Sequence, residues 1–391
     1  MNIYLGKNVY EAAKERVRFV YREFKNVVVN FSGGKDSTVV LHLALEVANE
    51  MNRLPVNLVF FDQEAEWDST IDYIRRTMAR PDINPMWFQI PFKINNASSG
   101  DERWLHCWEP GKEEEWIRPK EPNSIQEWQS TGKEEDFYKM LDLLPSQYFH
   151  GEPVAALLGM RCQETPKRKV ALTEGHPTYK WCLWCATRLN GKKVDFDPIY
   201  DWEYSDVWKY IQDNHFDYNR MYDHMYQYGL PINNMRISNI THEEAIKAFS
   251  FMQEIEPDLY NRLTRRLSGV NTASQMLDDA FKVKKLPFMF ASWEEYRDYL
   301  TDHLIRKEDR PIFYKAYTNP AARRYRTNAL LYDEYCQVCI QSVLRADVCL
   351  TLIKRFKSGV AVSEWEYWKK NGKKKYHIIN KYIDYELQQN S

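Results

Sequence analysis

A chain of 391 residues is long enough for two domains and a substantial buried core. Its 54 Lys and Arg balance 55 Asp and Glu, so no global field steers it to nucleic acid or an anionic membrane, and any nucleic-acid contact must be a local patch. Aromatic residues make up 15% of the chain, which argues against disorder, and no apolar run approaches a membrane span.

The start, Met1-Asn2-Ile3-Tyr4-Leu5-Gly6-Lys7, lacks the apolar core and cleavage site of a secretory leader, which predicts a cytoplasmic protein. Seven cysteines, an odd number, fit reduced thiols or metal ligands better than a disulfide framework. Val9 to Glu23, with Val9, Ala12, Ala13, Val17 and Val20 set between charges, predicts an amphipathic helix.

Val27-Val28-Val29 then reads as a buried strand that runs into Ser32-Gly33-Gly34-Lys35-Asp36-Ser37 and a helix over 38–50. Two glycines let the backbone turn its amides inward, Ser32 and Ser37 add hydroxyls, Lys35 adds charge, and the helix presents its positive end. Such a loop suits a pyrophosphate. The spacing is neither that of a Walker A loop nor that of the dinucleotide Gly-x-Gly-x-x-Gly pattern.

Pro55 to Phe61 predicts a second buried strand ending at Asp62, so the sheet is expected to be parallel with a right-handed crossover. Ligands of such sheets sit beyond the carboxyl ends of the strands, where the 32–37 loop and Asp62-Gln63-Glu64 both fall. Asp62 and Glu64 suit magnesium, a ribose hydroxyl or a substrate contact; the bland alternative is capping of the helix expected from Trp67 to Met78. A third strand is expected at 85–90.

From Pro91 the rhythm is lost to about residue 150. Trp104, Trp108, Trp116 and Trp128 lie among charged and turn-forming clusters, which predicts an insertion over the edge of the site, its aromatic residues either receiving a substrate or pinning a long loop. Val154 to Gly159 is the next expected strand, followed by Arg161, placed for a second phosphate or a developing charge, and by Arg168 one or two helical turns on.

Two Cys-x-x-Cys pairs, Cys182 with Cys185 and Cys336 with Cys339, have the ligand types of a tetrahedral zinc site or an iron–sulfur cluster. The second pair sits in a helical pattern over 325–346 that equally makes Cys336 and Cys339 small core residues. Asp197 to Tyr200 reads as a short strand before a helix capped by Asp201 or Ser205, and Tyr218 to Asp223 as a lip over the site. Beyond Asn234 helical periodicity continues at 242–252, 256–267, 274–284, 292–305 and 325–346. The run Lys369-Lys370-Asn371-Gly372-Lys373-Lys374-Lys375 is a solvated basic stretch or, more sharply read, a local nucleic-acid patch.

These motifs, in order, resemble the PAPS reductase and ATP sulfurylase small-subunit superfamily, whose PP-loop is matched by Ser32-Gly33-Gly34-Lys35-Asp36-Ser37. The other matches are Asp62 after the second strand, Gly159-x-Arg161-x-x-Glu164-Thr165-x-x-Arg168, and Pro198-Ile199-Tyr200-Asp201-Trp202-x-x-x-Asp206-Val207-Trp208. Asp62-x-Glu64-Ala65, Trp116-Ile117-Arg118, Met235-Arg236-Ile237 and Ile255-Glu256-Pro257-Asp258 further resemble a bacterial and phage branch of PAPS reductase-like proteins, often encoded beside a ParB-like partner.

The resemblance implies an α/β, parallel-sheet, adenine nucleotide α-hydrolase-like domain of Rossmann-like build over residues 1–235, with the insertion at 91–150, followed by a mainly helical domain over 236–391. It implies ATP, or alternatively PAPS or adenosine phosphosulfate, with magnesium held by Asp36. Ser32, Gly33, Gly34, Lys35, Asp36, Ser37, Asp62, Glu64 and Gly159 would bind the nucleotide, and Lys35, Arg161 and Arg168 would act in catalysis. The implied reaction is cleavage of ATP between the α and β phosphates to adenylate an acceptor. The rivals are sulfonucleotide transfer or reduction and a nucleotide-sensing module acting with the ParB-like partner. One departure weighs against reduction: the Glu-Cys-Gly motif that carries the reductase nucleophile is absent.

Overall fold

The computed structural model describes residues 6–357 apart from 99–101, 103, 129–134, 174–175, 233–234, 238–239, 242–248, 271–280, 282, 284, 327, 346 and 349. The chain divides into two compact units, the first made of 1–94, 104–241 and 251–266 and the second of 95–103, 242–250 and 267–391. The basic run 369–375 and most of the expected helix 274–284 lie outside the described residues.

The first unit is built on a six-stranded sheet. In chain order its elements are α1 (Val9–Glu23), β1 (Asn26–Asn30), α2 (Lys35–Glu50), β2 (Val56–Phe61), α3 (Asp68–Met78), β3 (Ile83–Phe88), β4 (Phe92–Asn95), β5 (Trp104–Cys107), α4 (Phe137–Tyr148), β6 (Val154–Leu157), α5 (Pro166–Thr173), β7 (Cys185–Arg188), β8 (Lys193–Phe196), α6 (Tyr204–Asp213), α7 (Met221–Gln227), α8 (Phe249–Ile255) and α9 (Pro257–Arg266). The strand order is β3-β2-β1-β6-β8-β7; all neighbours pair in parallel except the edge strand β7, and β4 with β5 forms a separate ribbon. From β1 the chain winds outward through β2 and β3, then returns to place β6 on the other side of β1. That reversal opens a crevice at the carboxyl ends of β1 and β6.

Local sequence explains these elements. The valines of β1 are β-branched and buried, as a strand covered on both faces requires. Val17 and Val20 of α1 and Val39, Val40, Leu43, Ala44 and Val47 of α2 join Val27, Val29, Leu58 and Phe60 of the sheet in one core. Phe61 stacks on Phe88 at 5.2 Å, and Phe137 of α4 meets Phe61 and Phe92 in a second aromatic contact group. Pro85 falls in β3, an edge strand, where its missing donor breaks no ladder on the outer side.

Two expectations shift. The strand expected at 197–200 lies upstream at Lys193–Phe196, because Lys193 and Asp195 are buried yet charged: the Lys193 ammonium pairs with Asp142 at 3.0 Å and Asp195 at 2.8 Å. The helix after it is capped by Glu203, which accepts the Asp206 amide while the Asp206 carboxylate accepts the Glu203 N–H.

The second unit contains α10 (Trp293–Leu304), α11 (Arg310–Thr318), α12 (Pro320–Tyr325), α13 (Ala329–Leu344) and α14 (Thr351–Lys357). Their core gathers Phe313, Tyr317, Tyr325, Leu331, Tyr335 and Ile340. Ser292, Asn319 and Asn328 cap α10, α12 and α13 through their side-chain oxygens. Among the described residues no helix is long and apolar enough to cross a membrane.

One core residue makes the first unit acid-sensitive. His42 of α2 stacks on Phe216 at 3.5 Å, and burial, helped by the Arg80 charge, pushes its imidazole down to about 4 from an ordinary 6.5. The unfolded chain therefore takes up a proton before the folded one does. The stability held above pH 6.5 should fall by up to about 3 kcal/mol as the pH drops to 4. Thermal melts of His42→Phe across that window should show a flatter acid slope than the parent chain.

Candidate anion-binding site

The loop between β1 and α2 is held open by contacts made through its glycines. Gly33 has φ +69°, and a Cβ there would meet Thr70 Cγ2 at 3.0 Å, so glycine is required on both counts. Its carbonyl accepts from Asn219 Nδ2 at 3.1 Å, and the same amide donates to Thr70 Oγ1 at 2.8 Å. The Ser37 hydroxyl donates to the Gly34 carbonyl at 2.9 Å and lies 3.3 Å from the Ser32 amide. The N-cap residue Gly34 has no side chain to cap α2, and the first amide of the helix, that of Lys35, is met by the Tyr222 hydroxyl, a neutral group that an anion can displace.

Asp36 stands in the middle of the charges. One carboxylate oxygen meets the Lys35 ammonium at 3.1 Å and the other accepts from Arg161 Nε at 2.6 Å. Burial pushes the Lys35 ammonium down from its ordinary value, and the Asp36 charge pulls it back up. Arg161, buried, also donates to Gln163 Oε1 at 3.1 Å and to the Trp202 carbonyl at 3.4 Å, so its guanidinium is fixed on several sides. Arg236 lies close enough for its charge to act on Lys35, and its guanidinium reaches the Glu164 carbonyl at 3.5 Å. Arg168 is ion-paired with Glu164, a half-exposed contact one helical turn away, and feels the charges of Arg236, Asp36 and Arg161. Four cations and a helix terminus thus surround one loop, with Asp36 as the internal counter-ion.

Gly159, just past β6, lets that strand end press against the loop. A Cβ at 159 would sit 2.9 Å from the Asp36 carbonyl carbon and 3.0 Å from the Ser37 nitrogen, both backbone atoms that cannot swing away. Gly159→Ala should cost about 1–3 kcal/mol by overpacking. It should also weaken anion binding, measured by calorimetry with pyrophosphate, while far-ultraviolet circular dichroism stays unchanged.

The acidic residues after β2 are placed differently from a ligand pair. Asp62 is fully buried and accepts from Arg118 Nη2, Trp87 Nε1 at 2.8 Å, Gln89 Nε2 at 2.9 Å and the Glu64 amide at 3.0 Å. Glu64, also fully buried, accepts from the Trp108 amide at 2.7 Å, the Ile117 amide at 3.2 Å and Arg266 Nε at 2.8 Å. These bonds hold Glu64 in a left-handed backbone conformation, φ +63°. Both carboxylates are engaged by the protein itself. Neither caps α3: the Asp68 and Ser69 amides at its start donate to Glu256, from a segment almost 190 residues on.

Metal ligation fares similarly. Both oxygens of Asp36 already face cations, the Lys35 ammonium and Arg161 Nε. Cys182 and Cys185 are buried in the core of the first unit, Cys185 Sγ donating to the Cys182 carbonyl at 3.3 Å, and burial pushes the Cys182 thiol up to about 12. Cys336 and Cys339 lie on α13 and are buried within the second unit, where burial lifts the Cys336 thiol to about 11. Among the described residues no group of three or more His, Cys, Asp or Glu is gathered so as to hold a metal ion. Cys336 Sγ accepts from Arg297 Nη1 at 3.6 Å, so that thiol is engaged by a guanidinium of its own unit.

The tryptophans of the 91–150 segment pin it down. Trp108 Nε1 donates to the Asp62 carbonyl at 2.8 Å, Trp116 Nε1 to the Glu109 carbonyl at 3.1 Å and Trp128 Nε1 to Gln147 at 2.7 Å. The sequence placed Asn219 and Tyr222 in a lip and Arg236 in a family-like motif, with no role at the loop for any of them. Tyr222 accepts the Lys35 amide at 3.1 Å, and its ring lies 5.3 Å from the Lys35 ammonium. The polar and aromatic run from Tyr218 to Asp223 carried the signal for a lip, though not for which atom the lip would touch. Asp197, just past β8, is a further group of this rim: it is 2% exposed, and burial, then the Asp195 charge, hold its carboxyl well above the usual range.

The family pattern described as the phosphoadenosine phosphosulfate reductase domain matches residues 26–228, just over half of the chain. A relative from Escherichia coli K12, described as uncharacterized protein YbdN, is 30% identical over 296 residues, covering 70% of this chain and 69% of that protein. An uncharacterized protein of Methanocaldococcus jannaschii is 25% identical over 61% of this chain and 47% of its own length. Among solved structures, the phosphate complex of PAPS reductase from Candida auris is 17% identical with a TM-score of 0.32, covering 57% of this chain and 93% of that one. FMN adenylyltransferase from Candida glabrata, complexed with FAD and inorganic pyrophosphate, is 13% identical with a TM-score of 0.36, over 55% of this chain and 59% of that one.

Proposed function

The chain belongs to the phosphoadenosine phosphosulfate reductase domain family, and on that premise we propose that its loop binds the phosphates of ATP and that the protein cleaves the α–β bond to adenylate an acceptor. The observation that carries this reading is the set of Lys35, Arg161, Arg168 and Arg236 around the start of α2, with Asp36 pairing Lys35 and Arg161 and Glu164 pairing Arg168. A lone sulfate ester or carboxylate needs fewer cations than that; a triphosphate uses them all.

In this reading MgATP brings its own metal as part of the substrate. The β and γ phosphates lie on the loop amides and hydroxyls, displacing Tyr222 from the Lys35 amide and drawing the Lys35 ammonium from Asp36. Arg161 faces the bridging oxygen, where negative charge grows as the α–β bond breaks, and being already fixed it needs no reorganisation at that moment. Asp36 keeps the cations in place between turnovers. The expected location is the cytoplasm, where ATP and magnesium are supplied and buried thiols stay reduced.

A second reading, binding of PAPS without reduction, is favoured by the family match itself. Formation of AMP and pyrophosphate from ATP and magnesium, assayed with pools of small acceptors, tests the first. Pyrophosphate release that needs both magnesium and an acceptor supports it, whereas release of adenosine bisphosphate from PAPS with no pyrophosphate released from ATP contradicts it.

A further inference from the structure

One residue holds Lys35 at both ends. The Tyr222 hydroxyl accepts the Lys35 amide at 3.1 Å, and the ring of the same residue stands 5.3 Å from the Lys35 ammonium. Tyr222 is 4% exposed and packs against Trp208 at 5.3 Å with the ring planes at 87°, so the place of its ring does not depend on the hydroxyl. Asn219 fastens the start of the same helix: its Oδ1 accepts the Met221 amide at 2.9 Å while its Nδ2 donates to the Gly33 carbonyl at 3.1 Å. The beginning of α7 is thus tied to Gly33 through Asn219 and to Lys35 through Tyr222.

The hydroxyl also lies over the preceding residue, since a Cβ on Gly34 would come within 3.5 Å of the Tyr222 oxygen. It therefore occupies the point in front of the first helical amide where an anion at this helix start would sit. A phenol is a weak substitute there. Burial, then the Asp36 charge, push its pKa up, so the hydroxyl stays neutral, and a neutral acceptor is held about half as strongly as an ionised one. We propose that Tyr222 is the positioning residue of Lys35 and has two separable actions: its ring keeps the ammonium at the loop, and its hydroxyl stands in for the anion on the Lys35 amide until phosphate displaces it.

The two actions move affinity in opposite directions. The hydroxyl satisfies a buried amide that the empty loop would otherwise leave as an unpaired donor. Every anion must first break that bond, so the apparent affinity is reduced in proportion to the share of time the amide is free. The ring works the other way: it holds a cation in place before phosphate arrives, by the attraction between an ammonium and an aromatic face. Tyr204 adds a second ring 5.9 Å from the same ammonium. The inference rests on the phosphate-binding half of the reading above and not on which bond is cleaved.

Calorimetric titration of the full chain with pyrophosphate, compared with Tyr222→Phe and Tyr222→Leu, tests it. Tyr222→Phe keeps the ring and its packing on Trp208 and removes only the hydroxyl, so it should fold, and it should bind pyrophosphate about two- to tenfold more tightly than the parent chain. Tyr222→Leu lacks the ring as well and should bind about two- to thirtyfold more weakly than Tyr222→Phe. Pyrophosphate bound by the parent chain but equally or less tightly by Tyr222→Phe would overturn the inference while leaving the loop an anion site, with the hydroxyl a ligand of the phosphate rather than its competitor. Weaker binding in both variants, the mark of a purely structural tyrosine, would overturn it too, and equal binding by the two variants would overturn the action given to the ring. Pyrophosphate bound by neither the parent chain nor Tyr222→Phe would end the inference and the phosphate reading together.

Discussion

Asp62→Ala should destabilise the protein by about 3–5 kcal/mol, a large share of its total stability. The substitution leaves the buried Arg118 guanidinium without its counter-ion and strips acceptors from Trp87 Nε1, Gln89 Nε2 and the Glu64 amide at once. Removing one partner of a buried pair costs about 3–5 kcal/mol, against a total stability of roughly 5–15 kcal/mol. Chemical denaturation followed by tryptophan fluorescence reads the loss directly. The double change Asp62→Leu with Arg118→Leu should recover more than half of it, because the uncompensated charge is then gone. A single mutant that melts with the parent and merely loses nucleotide would instead make Asp62 a ligand-facing residue.

Lys35→Ala should leave the fold intact and remove function. The Lys35 side chain makes one ion pair, with Asp36, so little of the core depends on it. Losing it does two things to an anion on the loop: a cation disappears, and Asp36 is left with an unbalanced oxygen facing the phosphates. Loss of one preorganised charge at a developing anion costs roughly 10²–10³ in rate, and the freed carboxylate adds repulsion. The expected result is pyrophosphate release down by at least that factor and ATP affinity down as well, with an unchanged melting temperature. Lys35→Ala combined with Asp36→Ala should bind ATP better than Lys35→Ala alone, which separates loss of attraction from added repulsion.

What the sequence made legible follows the range of the interactions. The loop Ser32–Ser37, its flanking strand and α2 are local: apolar runs, a glycine pair and a helix start sit within one short stretch, and helix α1 was expected over the same residues it occupies. Arg161 was legible because a strand end nearby placed it on the rim. The role of Asp62 was not, since its donors come from 25, 27 and 56 positions away and nothing near it announces them. Tyr222 and Asn219 reach the loop from more than 180 residues on. Strand β7 escaped notice as a four-residue antiparallel edge whose Arg188 end faces solvent, and β8 was displaced because a buried Lys193–Asp195 pair hides its apolar pattern.

Which nucleotide the loop prefers decides between adenylation and sulfonucleotide chemistry. Calorimetric titration of the full chain with ATP, PAPS and adenosine phosphosulfate in magnesium, repeated on Lys35→Ala, measures that preference. ATP should bind more tightly than either sulfonucleotide, and Lys35→Ala should abolish the difference. Tighter binding of PAPS, with ATP weak and indifferent to Lys35, would contradict it.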